Sequence, residues 1–438
     1  MKKIIDIVKD IFPFEYSVAG QGNDDSIKVF KKFLNFKIHS FNTGKSLNGW
    51  KIPKAIQVVK GTISNKKKII LDVKNSPFNL ISQCCSYSGN VPLRDLKKNI
   101  FFSSKCPNGI PYNWTGLYKP NEKKWGFCVE KKFLRKLTAK NYNIHIHTKK
   151  KNNTMKVLEF TIKGKTNKTI IINAHNCHKF QANDDISGCA VGIKLFHYLK
   201  SIKKLNYTYR LLIAPELYGP MFYLKKNIKI QKDIIGAILI KSVGNRNVLK
   251  LQKSFNGNTF LDKAAKIAIH ETLDKYKEGA FRTIHGNDET VFESPGYAIP
   301  SITFTRFPFK EYHTNLDTPE RLDETMLTKT YDVLKKTINI LDNNFFLQDT
   351  HKGLFCLSNK KYDLYLPASQ PGIDNKKFSN DKKKWNILMN SLPMECINGT
   401  SVIELSLKYR INFFELLDYI NKWKNKKLIK FKIKKNLL

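Results

Sequence analysis

An apolar run over residues 169–174 ends in His175-Asn176-Cys177-His178, and Asn183-Asp184-Asp185 follows shortly after at the start of a helical pattern. Imidazole, thiolate and carboxylate are the donors that zinc takes at about 2.0–2.3 Å, and a loop between a strand and a helix can converge them. Asp184 also falls where a helix dipole favours an anion. Capping the helix accounts for one of Asn183, Asp184 and Asp185, but not for two histidines beside three polar side chains. Metal binding through His175, His178 and Asp184 is therefore the reading. Past another strand, Ala214-Pro215-Glu216 supplies a carboxylate that is a candidate ligand or general base, because zinc hydrolases need a group to take a proton from water. Gly286-Asn287-Asp288-Glu289 and, after a third strand, Tyr312-His313-Thr314 bring further polar groups to the same edge.

These residues need elements to position them. From about 130 to 345 short apolar strand patterns at 142–148, 156–162, 169–174, 207–214, 234–241 and 301–304 alternate with helical spacing at 187–199 and 261–275. That alternation predicts an α/β fold around a mixed, mostly parallel sheet flanked by helices, with the ligand site beyond the carboxyl ends of the strands. Residues 1–44 read as an amphipathic helix, a Phe12-Pro13-Phe14 corner, a Gly20-Gln21-Gly22 turn and a second helix. Together with 129–350 they are assigned to one unit. Residues 45–128 have short apolar runs broken by Pro and Gly, a small β-rich insertion. Residues 351–438 show three helices and a strand-like 428–433, the pattern of a winged helix.

Bulk composition narrows the class. With 438 residues the chain exceeds a single core of about 250 to 300 residues. No stretch approaches the roughly 20 apolar residues of a membrane span, so no membrane partner is expected, and no cleavable leader is evident at Met1. Eight cysteines form no Cys-x-x-Cys pair, which suits reduced thiols in the cytoplasm. Only Cys177, between two histidines, qualifies as a ligand. The net charge of +41 invites a nucleic-acid reading, but only eight of the 77 basic residues are arginines. Arginine is the residue suited to bidentate recognition, so lysine-rich composition is preferred as the explanation. DNA binding through Lys422, Lys424, Lys426 and Lys427 of the winged helix is kept as a less favoured partner, and homo-oligomer formation stays open.

Taken together, the motifs resemble the zinc aminopeptidase and glutaminyl cyclase superfamily. The resemblance is nearer to bacterial and archaeal aminopeptidase-like proteins with an inserted associated domain and a C-terminal winged helix. It is carried by His175, Cys177, His178, Ala182, Asn183, Asp184, Ser187 and Gly188. Pro215, Glu216, Gly219, Gly286, Asp288, Glu289, Ser294, Pro295 and Gly296 extend it, as do Tyr312, His313, Thr314 and Asp317. It implies a zinc exopeptidase-like fold, a metalloprotease-type hydrolase acting on a small peptide, an amide or an amino-sugar derivative, and a link to polysaccharide biosynthesis. A non-catalytic zinc-binding regulatory protein on the same scaffold is the alternative. The departures are as informative. Lys241 stands where two-zinc relatives place a carboxylate, and Pro215 precedes a single Glu216 where they have adjacent glutamates. The expectation is one zinc ion. If Glu216 is a ligand, the base is unassigned; if Glu216 is the catalytic base, Asp184, His313 and one of His175 or His178 hold the zinc. The second arrangement is preferred because it leaves an open position. Asp288 is expected to face the substrate or to orient a ligand.

Overall fold

The structure, a computed structural model, describes residues 2–66, 68–119, 122–366 and 380–433. Its centre is an eight-stranded mixed sheet. Strands Lys37–Asn42, Thr154–Ile162, Thr208–Ala214, Thr169–His175, Ile234–Lys241, Ser301–Thr305, Lys250–Gln252 and Lys277–Gly279 lie side by side in that order. The four from Thr208–Ala214 to Ser301–Thr305 run parallel, and antiparallel neighbours flank them.

The Ile-Ile-Ile run of Thr169–His175 has no polar face because both sides of the sheet are covered, and every residue of that strand is buried. Ile170 and Ile172 point into one apolar layer with Val191, Leu195, Ile338 and Leu341. Ile171 points into the opposite layer with Leu212, Leu239, Phe222 and Phe292. Each such side chain contributes about 1.5–3 kcal/mol by leaving water. Helices Ile4–Ile11, Ser187–Ser201, Phe260–Thr272 and Glu324–Asp342 make the first layer, and Tyr218–Lys226 with Glu289–Phe292 the second.

A second sheet orders Lys68–Asp72, Ala55–Asn65, Asn141–Lys151 and Tyr87–Pro92 around its own core of Ile63, Leu71, Val91, Ile144 and Ile146. The strand expected over 142–148 therefore lies here and not in the central sheet. Its alternating burial defines a face to bury but carries no information about which sheet offers it. Helix Glu324–Asp342 was not among the expected elements, although Asp323 caps it and Leu327, Leu334, Ile338 and Leu341 sit at helical spacing.

Beyond residue 380 come helices Asn380–Ile397, Val402–Tyr409 and Phe413–Asn425, then strand Ile429–Lys432, which pairs antiparallel with Phe346–Asp349. Ile403, Leu416, Ile420 and Trp423 join the same apolar layer as the central helices. Among the described residues no helix is long and apolar enough to cross a membrane.

Candidate metal centre

The parallel strands end in register, His175 opposite Ala214 and Lys241 opposite Thr305. The loops after them consequently share one rim of the sheet. His175 is the last residue of its strand, His178 follows in the loop, and Asp184 lies just before helix Ser187–Ser201. His313 arrives from the segment after Ser301–Thr305. Asp184 is the hub. Its Oδ1 is 3.2 Å from His175 Nε2, and its Oδ2 is 2.9 Å from His313 Nε2 and 3.5 Å from His178 Nδ1. Sequence motifs spread over more than a hundred residues thus meet at one carboxylate.

Ile186 is the capping residue of helix Ser187–Ser201, and Asp185, of the three, is the one whose side chain accepts a backbone N–H from its first turn. Its Oδ1 accepts from the backbone N–H groups of Gly188 and Ser242, and its Oδ2 from that of His175. Gly188 is required there, because a Cβ would fall 2.4 Å from Asp185 Oδ1 and 2.5 Å from the Ile240 carbonyl. Asp185 Oδ2 also lies 3.6 Å from His175 Nδ1, and the Asn287 amide 3.4 Å from it, which turns Nε2 inward. Asp317 performs the matching task for the loop. Its two carboxylate oxygens accept from the backbone N–H groups of Asn183, at 2.8 Å, and Asp184, at 3.1 Å. Asp317 was legible only as part of a motif, without a role.

Glu216 projects from the turn after Thr208–Ala214. Its Oε1 is 3.4 Å from Lys241 Nζ and its Oε2 3.7 Å from His178 Nε2. Asp288 does not reach the open rim. It is fully buried, accepting from Asn173 Nδ2 at 2.6 Å and from the Leu217 backbone N–H at 2.5 Å. It therefore fixes the turn that carries Glu216. Glu289 accepts from the Asn287 N–H at 2.8 Å. Tyr112, which no sequence cue singled out as a site residue, comes from the segment before residue 128. Its N–H donates to the His313 carbonyl at 2.7 Å, and its ring packs edge-on to His178 and His313.

Burial opposes ionisation of Asp184, yet the Lys241 ammonium and the histidines hold its carboxyl well below the usual range. The same opposition, again settled by Lys241 and then His175 and His178, leaves Glu216 at about 2. Burial lowers His178 to about 3 despite Asp184. In His175, burial and Lys241 disfavour the cation, but Asp184, Asp185 and Glu216 outweigh them and raise it to about 9. Burial lifts Asp185 to about 7 and Asp288 to about 6.

His175 Nε2, His178 Nδ1, Asp184 Oδ2 and His313 Nε2 are buried and have no hydrogen-bond partner. Buried polar atoms are ordinarily paired. Nitrogen and carboxylate-oxygen atoms gathered within 2.9–3.5 Å of Asp184, with no hydrogen bond between them, suit zinc, so the residues present fit that ion.

The fold is aminopeptidase-like. The architecture is similar to a crystal structure described as a "putative peptidase" from Clostridium acetobutylicum, with a TM-score of 0.79 and 20% identity, covering 98% of this chain and 96% of that one. It is also similar to the zinc aminopeptidase BSAP from Bacillus subtilis, with a TM-score of 0.60 and 15% identity over 76% of this chain and 92% of that one. A Clostridium acetobutylicum protein named "Putative polysaccharide biosynthesis protein with aminopeptidase-like domain" is 25% identical over 348 residues, 78% of each chain. The chain belongs to the family described as "Domain of unknown function (DUF4910)", whose model matches residues 5–344.

Proposed function

We propose that this protein is a zinc-dependent hydrolase of a peptide or other amide bond, with a single ion held by Asp184, His313 and one or both of His175 and His178. The observation that carries the reading is the convergence on Asp184 of His175 Nε2, His178 Nδ1 and His313 Nε2, all buried and none in a hydrogen bond. A zinc ion there supplies Lewis acidity, polarising a carbonyl and lowering the pKa of water. Glu216, whose carboxylate has 14% of its side-chain surface exposed and adjoins His178, takes the proton and returns it to the leaving amine. Asp288 acts through Glu216 by holding the Leu217 amide, and Tyr112 walls the site against water. The hydrogen bonding of Glu216 to Lys241, and of none of the four converging atoms, supports the base assignment over the ligand assignment.

The C. acetobutylicum relative is named for polysaccharide biosynthesis, which supports a sugar-linked amide as a substrate beside a peptide. Eight unpaired cysteines, six of them buried, are in keeping with a reducing cytoplasm. The accompanying domain division is an aminopeptidase-like unit over 1–44 and 129–350, an inserted β-rich unit over 45–128 that borrows strand Asn141–Lys151, and a winged helix over 351–438.

The test is zinc per chain, by elemental analysis, in wild type, Asp184→Ala and His313→Ala. It is combined with a panel of aminoacyl, acyl-amide and amino-sugar amide substrates run with zinc and with chelator. Loss of zinc in both variants and chelator-sensitive turnover are expected. Unchanged zinc in both variants would sink the site; bound zinc without turnover of any amide would leave a zinc-binding protein and sink the hydrolase.

A further inference from the structure

Two candidate ligand groups meet at this rim and share one histidine. His175, His178 and Asp184 form the first, Cys177, His178 and Glu216 the second. The His178 ring stands between them, Nδ1 towards Asp184 and Nε2 towards Glu216. Cys177 Sγ lies against the second group, accepting from the Glu216 backbone N–H at 3.3 Å. The donor set of the second group, sulfur, nitrogen and carboxylate oxygen, is also one that takes a divalent metal.

Lys241 decides between them. It ends the central strand Ile234–Lys241, is 1% exposed, and places Nζ 3.4 Å from Glu216 Oε1. A lysine sealed from water is tolerated where carboxylates surround it. Here Glu216 lies 3.4 Å from the ammonium, and the charges of Asp184 and Asp185 add to its attraction. The ammonium is enclosed, with 2% of the side-chain surface exposed. A divalent ion on Glu216 would sit beside that charge in a water-poor space, where like charges repel far more strongly than in water.

We propose that Lys241 is a built-in cation that takes the place of a second metal ion: it occupies Glu216 and keeps the Cys177, His178 and Glu216 group closed as a latent metal site. The inference rests on the zinc reading of the first group. It adds what that reading lacks, a reason why Glu216 stays free of metal while standing next to a ligand histidine. Lys241 is thereby a positioning residue for Glu216 and the determinant of metal number.

The experiment is a cobalt(II) titration of the full-length protein, reading ions bound per chain by elemental analysis and thiolate-to-cobalt charge transfer in the near-ultraviolet. Wild type is expected to bind one ion without the thiolate band. Lys241→Met, which keeps the length and removes the charge, is expected to bind a second ion with the band, and Cys177→Ser in the same background to remove the band. Lys241→Arg, which keeps the charge, is expected to stay at one ion. Lys241→Gln gives the same reading if Lys241→Met does not fold by circular dichroism. One ion in wild type and still one in the folded, uncharged variants overturns this inference alone. Two ions in wild type, or two in Lys241→Arg, also overturn it. No ion in wild type overturns the zinc reading and this inference with it.

Discussion

Asp317→Ala should loosen the metal centre without touching a ligand. Asp317 is 1% exposed and accepts two backbone N–H groups, those of Asn183 and Asp184, at 2.8 and 3.1 Å. Truncation leaves both donors buried and unpaired, at about 1–3 kcal/mol each, hence about 2–6 kcal/mol in all. A water entering the space left by the carboxylate would move the value to the lower end. That is a large part of the roughly 5–15 kcal/mol that holds a typical domain folded. Asp184 then loses the bond that sets its approach to His175 and His313, and removal of such a supporting group lowers metal affinity about 10- to 100-fold. Stability is measured by urea unfolding in excess chelator, because bound metal would add its own linkage to the folded state. Affinity is measured separately by competition with a chromogenic chelator. Asp317→Asn, which keeps one carbonyl acceptor, should fall between wild type and Asp317→Ala in both assays. An Asp317→Ala protein within about 0.5 kcal/mol of wild type, with zinc affinity within about twofold, would refute the argument that this carboxylate positions Asp184.

Glu216→Gln should leave zinc content unchanged while lowering turnover about 10²- to 10⁴-fold, the contribution of a general base; loss of zinc instead would make Glu216 a ligand. Away from the site, Glu159 should shape acid stability. It is buried against His39, at 2.7 Å, and Arg210. Burial raises its pKa, but His39, Thr161 and Arg210 outweigh that and lower it from 4.5 to about 2. The folded value is depressed, so the stabilisation is complete above pH 4.5 and lost as the pH falls towards 2. It amounts to at most about 3 kcal/mol, less whatever solvent screening removes. Urea unfolding of wild type and Glu159→Gln across pH 2–6 checks this, and parallel profiles would contradict it.

How far the amino-acid order reveals the architecture depends on the range of the interaction that decides each feature. The Ile170-Ile171-Ile172 run announces a strand covered on both faces, and the structure puts it at the middle of the sheet. The helix from Ser187 and the loop that follows His175 come from the same local pattern. Strand Asn141–Lys151 has an equally clear alternation, but its partners, Ala55–Asn65 and Tyr87–Pro92, lie far away in sequence. Tyr112, legible only as part of the Pro111-Tyr112 pair that matches the family pattern, had no readable role for the same reason, since the bridge between Pro111 and Thr314 carries it to the histidines.

The site residues divide in a similar way. His175, His178 and Asp184 were legible because ligand types cluster in one loop, whereas His313 is a lone histidine that only its place after a strand and the family resemblance marked; the structure brings all four together. Asp288 looked alike in sequence, a carboxylate on a polar turn, yet its oxygens are spent on Asn173 and Leu217. Residue type gives the chemistry a side chain is capable of; the direction it faces is set by backbone N–H groups elsewhere. Lys241 is the sharpest case. In sequence it marks a departure from two-zinc relatives and nothing more, since a lysine ending a strand is ordinarily solvated. Only its burial beside Glu216 turns that departure into a charge placed inside the centre. Lys241 read as a lost ligand and Lys241 read as a gained cation predict different zinc counts for Lys241→Met. Loss of a ligand alone predicts no second ion when the lysine is made neutral, whereas a cation in its place predicts that one enters.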